Sequence, residues 1–487
     1  VPRRSGTGFR AADVGARHED DDAGGRHVDV AEVVARARAA QAAVENWDAD
    51  KVEELTTAVA YAVARKDRSE ELARLAVDEA GFGNYADKVT KIQRRVLGVL
   101  SDLRATKTVG IVEEDPARGL VKIAKPVGVV AGLVPTTGPD ATPPVKALCA
   151  LAGRNAIVFA AHPRSKRTTD AVVGYMREAC EQVGAPADLV QVLPEAKIAH
   201  TQELMKAADL IVATGGAGMV KAAYSSGTPA FGVGVGNAVH VVDETADVAD
   251  AATAIAVAKT FDYATSCLAD NSVVAHDDVY DDLLERLQGL GGYVCTPEEK
   301  ARLQAVMWPD GGEIPSPTVI AKSAGVIAGL AGVEVPETTS FLVVLEDGVG
   351  HDHPFSGEKL SVVLALYRYS GGIENAVAQV NAITGYQGLG HTCGIHTADD
   401  AHVDALAFGT KTARVLVNQN LNEGAGSPRN GLPFTLSLSC GTWGGTITTE
   451  NVNARHFVNL TWVSRVIAPK TVDAESLFAR HFERYGR

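Results

Sequence analysis

Six cysteines are spread over 487 residues without paired short spacings, so neither a disulfide framework nor a zinc ribbon is encoded. That usage suits a reducing compartment, where a single thiol can serve as a reagent. Cys267 differs in setting from the other five. It lies in FDYATSCLADNS (261–272), just past a helical stretch at 247–261 and just before an apolar strand, where two αβ units meet. Clefts form at such junctions. A thiol attacks as thiolate and therefore needs donors or a base nearby. Cys149 and Cys180 sit inside apolar helical patterns and read as core, and Cys295 lies in a loop with no base beside it. Cys393 and Cys440 border glycine loops and could line a site. On residue types alone, a buried structural cysteine stays an open reading for Cys267 as well.

Glycine carries the second signal. The chain has 48, about a tenth of its residues against a usual ~7%. They gather at Gly138, at Gly215, Gly216 and Gly218, at Gly232, Gly234 and Gly236, at Gly388 and Gly390, at Gly424, Gly426 and Gly431, and at Gly441, Gly444 and Gly445. These read as loops after strands, where an open αβ sheet binds its ligand and glycine lets backbone approach a phosphate. The run ATGGAGMV (213–220) follows an apolar strand and opens a helix, as a phosphate or nicotinamide loop would. It lacks the G-x-G-x-x-G spacing and an acid at the ribose-binding offset. A nucleotide loop and ordinary turn glycines therefore both stay open.

An αβ framework must position these groups. Residues 28–105 are helical in pattern, with Val30, Val33, Val34 and Ala37 on one face. Asp50 with Glu53, and Asp67 with Glu70, have capping-box spacing at two helix starts. A β pair follows at 108–114 and 119–125 across a Pro/Gly turn. Short Val- and Ile-rich runs at 127–134, 156–160, 189–193, 210–213 and 238–242 then alternate with helical segments such as 142–152 and 168–183. A second alternation runs from 271 to about 440, and β character returns at 456–463. Buried strands alternating with helices predict parallel, helix-covered sheets. The expected α/β architecture is two such domains facing each other, plus a β arm whose open edges invite a second subunit.

Composition removes several classes of function. The net charge of −14 leaves no broad basic surface to neutralise phosphates, so no nucleic-acid partner is expected. No apolar stretch approaches ~18 residues, so no membrane span is expected. Arg3, Arg4 and Arg10 have no apolar signal core behind them, and residues 17–27 (RHEDDDAGGRH) show no apolar face. The expectation is a cytoplasmic protein with a flexible leader at 1–27.

Several segments, read together and in order, resemble one family. They are residues 261–271, ATGGAGMVKAAYSSGTPAFGVGVGN (213–237), PTTGPDATPPVKAL (135–148), RNAIVFAAHPRSK (154–166), GEKLS (357–361), LGHTCGIHT (389–397) and LSCGTWGG (438–445). They resemble the CoA-acylating branch of the aldehyde dehydrogenase superfamily, over about residues 30 to 465. The resemblance implies an aldehyde dehydrogenase-like fold. Its Rossmann-like cofactor-binding domain would span 28–107 and 126–262, its catalytic domain 263–452, and its oligomerisation arm 108–125 and 453–487. It places Cys267 at the nucleophile position and His391 at that of a catalytic base. Thr137 falls where its hydroxyl could stabilise an alkoxide. Pro135, Thr136, His162, Pro163, Gly215, Gly216, Gly234 and Gly441 fall at cofactor-cleft positions, and Glu358 at that of the nicotinamide-ribose carboxylate. Plainer readings are a structural histidine for His391, a surface charge for Glu358 and a strand-end cap for His162.

The implied reaction joins a small aldehyde and CoA, oxidised with NAD or NADP, through a thioester on Cys267. Hydrolytic relatives carry a glutamate in an E-L-G-G-type motif that activates water. The matching stretch here is Val233-Gly234-Val235-Gly236, without a carboxylate, so an acyl-enzyme would wait for a thiol. Departures from the branch pattern are Gly138, where an asparagine is usual, and Asp140, where a hydroxyl residue is usual. Arg429 is a candidate for binding an anionic substrate tail, with a solvated loop charge as the plainer reading. The ending NLTWVSR (459–465) is similar to the sulfoacetaldehyde-type and microcompartment-type members. A homodimer or homotetramer is implied, and the leader raises a bacterial microcompartment shell as a partner. Competing readings are a hydrolytic aldehyde dehydrogenase, a γ-glutamyl phosphate reductase-like enzyme, and an inactive scaffold or assembly protein with the same fold. No metal is expected.

Overall fold

The computed structural model describes residues 29–487, and the leader expected at 1–27 lies outside them. Four helices open the described chain: α1 (Val30–Val44), α2 (Ala49–Ala64), α3 (Lys66–Ala80) and α4 (Tyr85–Ala105). The α1 face formed by Val30, Val33, Val34 and Ala37 is buried. The two expected capping boxes do not form. Asp48 caps α2, accepting from the Lys51 N–H, and α3 starts after Arg65 without a side-chain cap. Asp50 and Asp67 lie in the first turns of their helices, where a carboxylate faces the positive end of the helix dipole.

Strands β1 (Gly110–Asp115) and β2 (Leu120–Pro126) form an antiparallel pair. The chain then enters a five-stranded sheet: β3 (Val129–Leu133), β4 (Ala156–Ala160), β5 (Val190–Val192), β6 (Leu210–Ala213) and β7 (Ala230–Gly232). Its order is β5-β4-β3-β6-β7, and every pairing is parallel. All residues of β3, β4 and β6 are buried, which is why these strands read as unbroken apolar runs. Helices α5 (Thr142–Ala152), α6 (Lys166–Gln182), α7 (Ile198–Ala207) and α8 (Ala217–Tyr224) connect them. The chain leaves the middle strand β3 in one direction and returns beside it as β6, so the strand order reverses between these two. A ligand crevice opens at such a reversal, outside the carboxyl ends of the strands. Buried Lys146 of α5 sits there, donating from Nζ to the carbonyls of Leu133 at 2.6 Å and Val212 at 2.9 Å.

A second parallel sheet contains β8 (Val239–Val242), β9 (Ser272–His276), β10 (Gly292–Val294), β11 (Phe341–Leu345), β12 (Val363–Tyr369), β13 (Gly390–His396) and β14 (Thr412–Val417). Its order is β10-β11-β12-β9-β8-β13-β14. The division expected at 262 is corrected by this topology. Strand β8 pairs with β9 and β13, and helix α9 (Val248–Thr260) buries its apolar face in the core of this sheet. The chain therefore crosses between sheets after Gly232, because the apolar run at 239–242 finds its hydrogen-bond partners only among later strands. Strand β15 (Val458–Ser464) returns antiparallel to β2, completing a small sheet of order β1-β2-β15. Among the described residues no helix is long and apolar enough to cross a membrane.

Candidate active site

Cys267 lies in the connection from α9 to β9, at the amino-terminal edge of the second sheet. Helix α9 ends in a short turn, Phe261–Ala264, in which Asp262, Tyr263 and Ala264 all have left-handed backbone, with φ of 49°, 51° and 58°. Three consecutive non-glycine residues hold that conformation only if surrounding contacts over-determine it. The buried carboxylate of Asp262 supplies them. It accepts from the Asn84 N–H at 3.0 Å, Lys88 Nζ at 3.3 Å, Lys91 Nζ at 2.5 Å and Thr265 Oγ1 at 2.8 Å. Asp140 stands 4.0 Å from Lys88 on the other side, with neither oxygen hydrogen-bonded. Two lysines of α4 and two aspartates thus form a buried group of balanced charge behind the nucleophile loop.

His391 comes from the start of β13, and its Nε2 lies 3.2 Å from Cys267 Sγ. Gly388 and Gly390 place it. A Cβ on Gly390 would collide with the Cys440 carbonyl, and both glycines have positive φ, at 88° and 83°. Gly388 precedes β13 and Gly390 opens it, rather than either following a strand, so their role is close packing at a strand start. His391 Nδ1 has no hydrogen-bond partner, so no carboxylate orients the ring. Burial, with the Arg414 charge beside it, holds the imidazole down to about 3. The ring is therefore neutral at working pH, and in the tautomer with the proton on Nδ1 its Nε2 lone pair faces the thiol. Arg414 is itself buried, and all five of its N–H protons go to neutral oxygens: Thr392, Thr449, Asn451, His391 and Ser439. Burial pushes the Cys267 thiol up to about 12, with Glu358 and Cys440 adding to the effect and Arg414 opposing it. The thiol needs a base to ionise, and His391 is the neighbour that can supply one.

The Val233–Gly236 segment closes one side of the nucleophile. A Cβ on Gly236 would lie 2.4 Å from the Cys267 Cβ and from its carbonyl, so only glycine fits. The Gly236 N–H donates to Glu358 Oε1 at 3.0 Å. Burial pushes that carboxyl up to about 8, and the Gly236 bond opposes the shift. Among the described residues neither the Cys267 N–H nor the Thr137 hydroxyl has a protein acceptor, and both residues line the cavity, so each is free to donate to a bound group.

A cavity of about 580 Å³ runs between the carboxyl edge of the first sheet and the amino edge of the second. Pro135, Thr136, Thr137, His162, Pro163, Gly215, Gly216, Gly234, Glu358 and Cys267 all line it. His391 reaches it through the thiol. His162 also caps the turn that follows β4, its Nδ1 accepting from the Arg164 N–H at 3.1 Å. Two candidate positions lie off this lining. Gly441 does not line the cavity; it turns the chain with φ 64°, its N–H bonded to the Thr448 carbonyl at 2.7 Å. Arg429 is exposed and outside the cavity, because its loop packs with the guanidinium outward. Lys91 and Arg95 line the cavity instead. The signal for them was the spacing 88, 91, 95 on one face of α4, which reads as an ordinary charged helix face until something packs over it.

A half-buried thiol touching a neutral imidazole, in a cleft between two parallel αβ sheets, defines an α/β enzyme with a thiol nucleophile at a nucleotide-binding type of crevice. Comparison with known proteins narrows the class. The model of the aldehyde dehydrogenase family matches residues 22–290. A sulfoacetaldehyde dehydrogenase from Acholeplasma sp is 43% identical, covering 91% of this chain and 92% of its own. A sulfoacetaldehyde dehydrogenase (acylating) from Bilophila wadsworthia is 42% identical, covering 94% of this chain and 99% of its own. The crystal structure of an acetylating aldehyde dehydrogenase from Geobacillus thermoglucosidasius superposes with a TM-score of 0.87 at 36% identity, covering 91% of this chain and 98% of that one. The chain belongs to the aldehyde dehydrogenase family, in its CoA-acylating branch.

Proposed function

We propose that the chain converts a short-chain aldehyde, CoA and NAD(P)⁺ into acyl-CoA, NAD(P)H and a proton, with sulfoacetaldehyde the preferred aldehyde. The observation that carries the chemistry is the 3.2 Å contact between His391 Nε2 and Cys267 Sγ, beside a Val233–Gly236 wall without a carboxylate. Neutral His391 takes the thiol proton at Nε2 as Sγ adds to the aldehyde carbon. The resulting thiohemiacetal oxygen is held by the Cys267 N–H and the Thr137 hydroxyl. A nicotinamide dinucleotide, when bound, supplies the hydride acceptor.

Support for a dinucleotide comes from the cleft itself. The strand-order reversal lies between β3 and β6, and Pro135, Thr136, Gly215 and Gly216 leave backbone exposed there. Glu358 is the one carboxylate among the described lining residues, and it is fixed by Gly236 where it can bind a ribose hydroxyl. The five-stranded unit thus holds the dinucleotide while the seven-stranded unit carries the nucleophile. Before the second half-reaction His391 gives up that first proton to solvent, the proton released overall. A CoA thiol then gives its proton to His391 Nε2 and attacks the thioester carbon. The bond from that carbon to Cys267 Sγ breaks, and the proton returns from His391 to the departing Sγ. Attack by water is slow because no lining carboxylate is free to activate it.

Support for sulfoacetaldehyde is the naming of the two curated relatives. Support for a homodimer or homotetramer is the β1-β2-β15 sheet, both of whose edges are open, with Leu460 and Trp462 exposed on β15. The test is a panel of sulfoacetaldehyde, succinate semialdehyde, acetaldehyde and propionaldehyde, each with and without CoA and with either dinucleotide. NAD(P)H formation that needs CoA supports the reading. Equal turnover without CoA would favour a hydrolytic enzyme.

A further inference from the structure

The cations of α4 differ in how their charge is answered. Lys88 and Lys91 face Asp140 and Asp262. Arg94 faces Glu423 at 3.7 Å. Arg95 has no such partner. It is 8% exposed, and its hydrogen bonds all go to neutral carbonyls: Nη1 to Ala425 at 2.8 Å and Gly426 at 2.9 Å, Nη2 to Asn422 at 3.0 Å. Those bonds use three of its five N–H protons and leave Nε–H and one Nη2–H without an acceptor. Glu423 is the acidic group nearest in charge, but it makes no hydrogen bond to Arg95. Burial draws the guanidinium down to about 10, which leaves it charged at neutral pH.

This cation belongs to the nucleophile's surroundings. Arg95 lines the cavity that Cys267 lines, and the loop it clamps places Ala425 in the small apolar cluster with Val233, Leu268 and Leu438 against which Cys267 packs. Lys91 lines the same cavity, its Nζ 3.3 Å from the Thr137 carbonyl. Apart from Glu358, the charged side chains on the described lining are cations, in a chain whose net charge is −14. A buried guanidinium that makes no direct ion pair, with Glu423 acting on it only at a distance, is a costly arrangement unless an anion completes it, and a planar fork with free N–H groups suits a carboxylate or sulfonate.

We propose that Arg95 binds the anionic tail of the substrate aldehyde, a sulfonate or carboxylate, while the aldehyde carbon lies at Cys267. The inference rests on the reading of the chain as a CoA-dependent aldehyde dehydrogenase. It moves the tail-binding role from exposed Arg429 to buried Arg95. Arg95→Gln keeps donors for the Asn422–Gly426 carbonyls but removes the charge, and Arg95→Lys keeps the charge but removes the fork.

Two measurements test the assignment on the full chain. The first is kcat/KM for sulfoacetaldehyde, succinate semialdehyde and propionaldehyde, together with KM for CoA. Loss of a charge-assisted hydrogen bond predicts that Arg95→Gln lowers kcat/KM for the anionic aldehydes roughly 10- to 100-fold more than for propionaldehyde. Arg95→Lys should fall in between. The larger loss identifies the sulfonate or the carboxylate as the preferred tail. An equal loss on all three aldehydes, a loss on none, or a KM for CoA that rises equally with each aldehyde would overturn the assignment. The second is the rate of Cys267 alkylation by iodoacetate relative to iodoacetamide, which needs no turnover. Wild type should favour the anionic reagent relative to Arg95→Gln, and an unchanged ratio counts against the subsite. If no aldehyde is oxidised while the ratio still shifts, the anion subsite stands and the proposed reaction fails.

Discussion

His391 Nε2 stands 3.2 Å from Cys267 Sγ although 124 residues separate the two in the chain. The contact exists because Cys267 leads into β9 and His391 opens β13, and β8 lies between those strands. A residue in the loop ahead of β9 and one at the start of β13 therefore face each other across the end of β8. A nucleophile and base supplied by a rigid sheet edge lose little geometry to motion.

Replacing the nucleophile should abolish the chemistry and leave the fold. Cys267→Ser is expected to lower CoA-dependent NAD(P)H formation by at least about 10³-fold, because a serine hydroxyl beside an unassisted imidazole is a far weaker nucleophile. Mass spectrometry of enzyme mixed with aldehyde and dinucleotide should show the acyl adduct in wild type and not in the variant. Full activity in Cys267→Ser would remove this residue from the mechanism.

His391→Gln should slow both thiol addition and transfer to CoA by about 10²- to 10⁴-fold, the range of general base catalysis. Burial holds this imidazole at about 3, so the wild-type rate should show no limb near pH 6.5 from His391. The thiol is pushed up to about 12, so iodoacetamide alkylation of Cys267 in the free enzyme should keep rising beyond pH 9. Stopped-flow alkylation against pH checks both statements, and a plateau below pH 8 would contradict the second.

Glu358 has its carboxyl raised from the ordinary 4.5 to about 8 by burial. The folded chain therefore holds a proton that the unfolded chain releases between those values. Stability from this group is full below pH 4.5 and is lost as pH rises towards 8. The melting temperature of wild type should fall relative to that of Glu358→Gln across that window, and a pH-independent difference would count against burial of the carboxyl. The same substitution should raise KM for the dinucleotide about tenfold, by weakening a ribose hydrogen bond.

Asp262→Asn breaks a buried charge group rather than a surface pair. Lys88 and Lys91 would keep their charges and lose their shared partner, at a cost of about 3–5 kcal/mol. Urea unfolding should show that loss. Because Asp262 also pins the left-handed turn ahead of Cys267, kcat should fall in the fraction that remains folded. Unchanged kcat at full folding would show that the turn holds itself.

The small sheet should mediate assembly. Sedimentation of wild type should give a multiple of 50.9 kDa. Charges on its exposed apolar positions, in the double substitution Leu460→Glu with Trp462→Glu, should shift the population towards monomer. A monomeric wild type would argue against an assembly role for this sheet.

Local pattern was enough for much of this protein. Fully buried parallel strands have apolar side chains on both faces, so β3, β4 and β6 are visible as unbroken runs. Glycines that must leave room for a neighbouring chain, such as Gly236 against Cys267, are visible as residues before their neighbours are known. Cys267 stood out by its place at a junction, whereas the missing carboxylate at Val233–Gly236 has meaning only beside the motif of the hydrolytic relatives. The pairing of Cys267 with His391 was accessible only through resemblance to a family.

What tertiary structure alone decided is where long-range partners meet. Strand β8 reads like the strands before it, yet its hydrogen bonds go to β9 and β13, which moves the boundary between the sheets back by some thirty residues. Lys88, Lys91 and Arg95 look like a solvated helix stripe because sequence spacing records which residues share a face and not what covers it. Packing of the 261–265 turn and the 422–426 loop over α4 buries that stripe and lays Lys91 and Arg95 against the cavity. Arg429, conspicuous on a glycine-rich loop, stayed in solvent for the same reason: burial is a property of the neighbours a residue acquires, and those neighbours are hundreds of residues away in the chain.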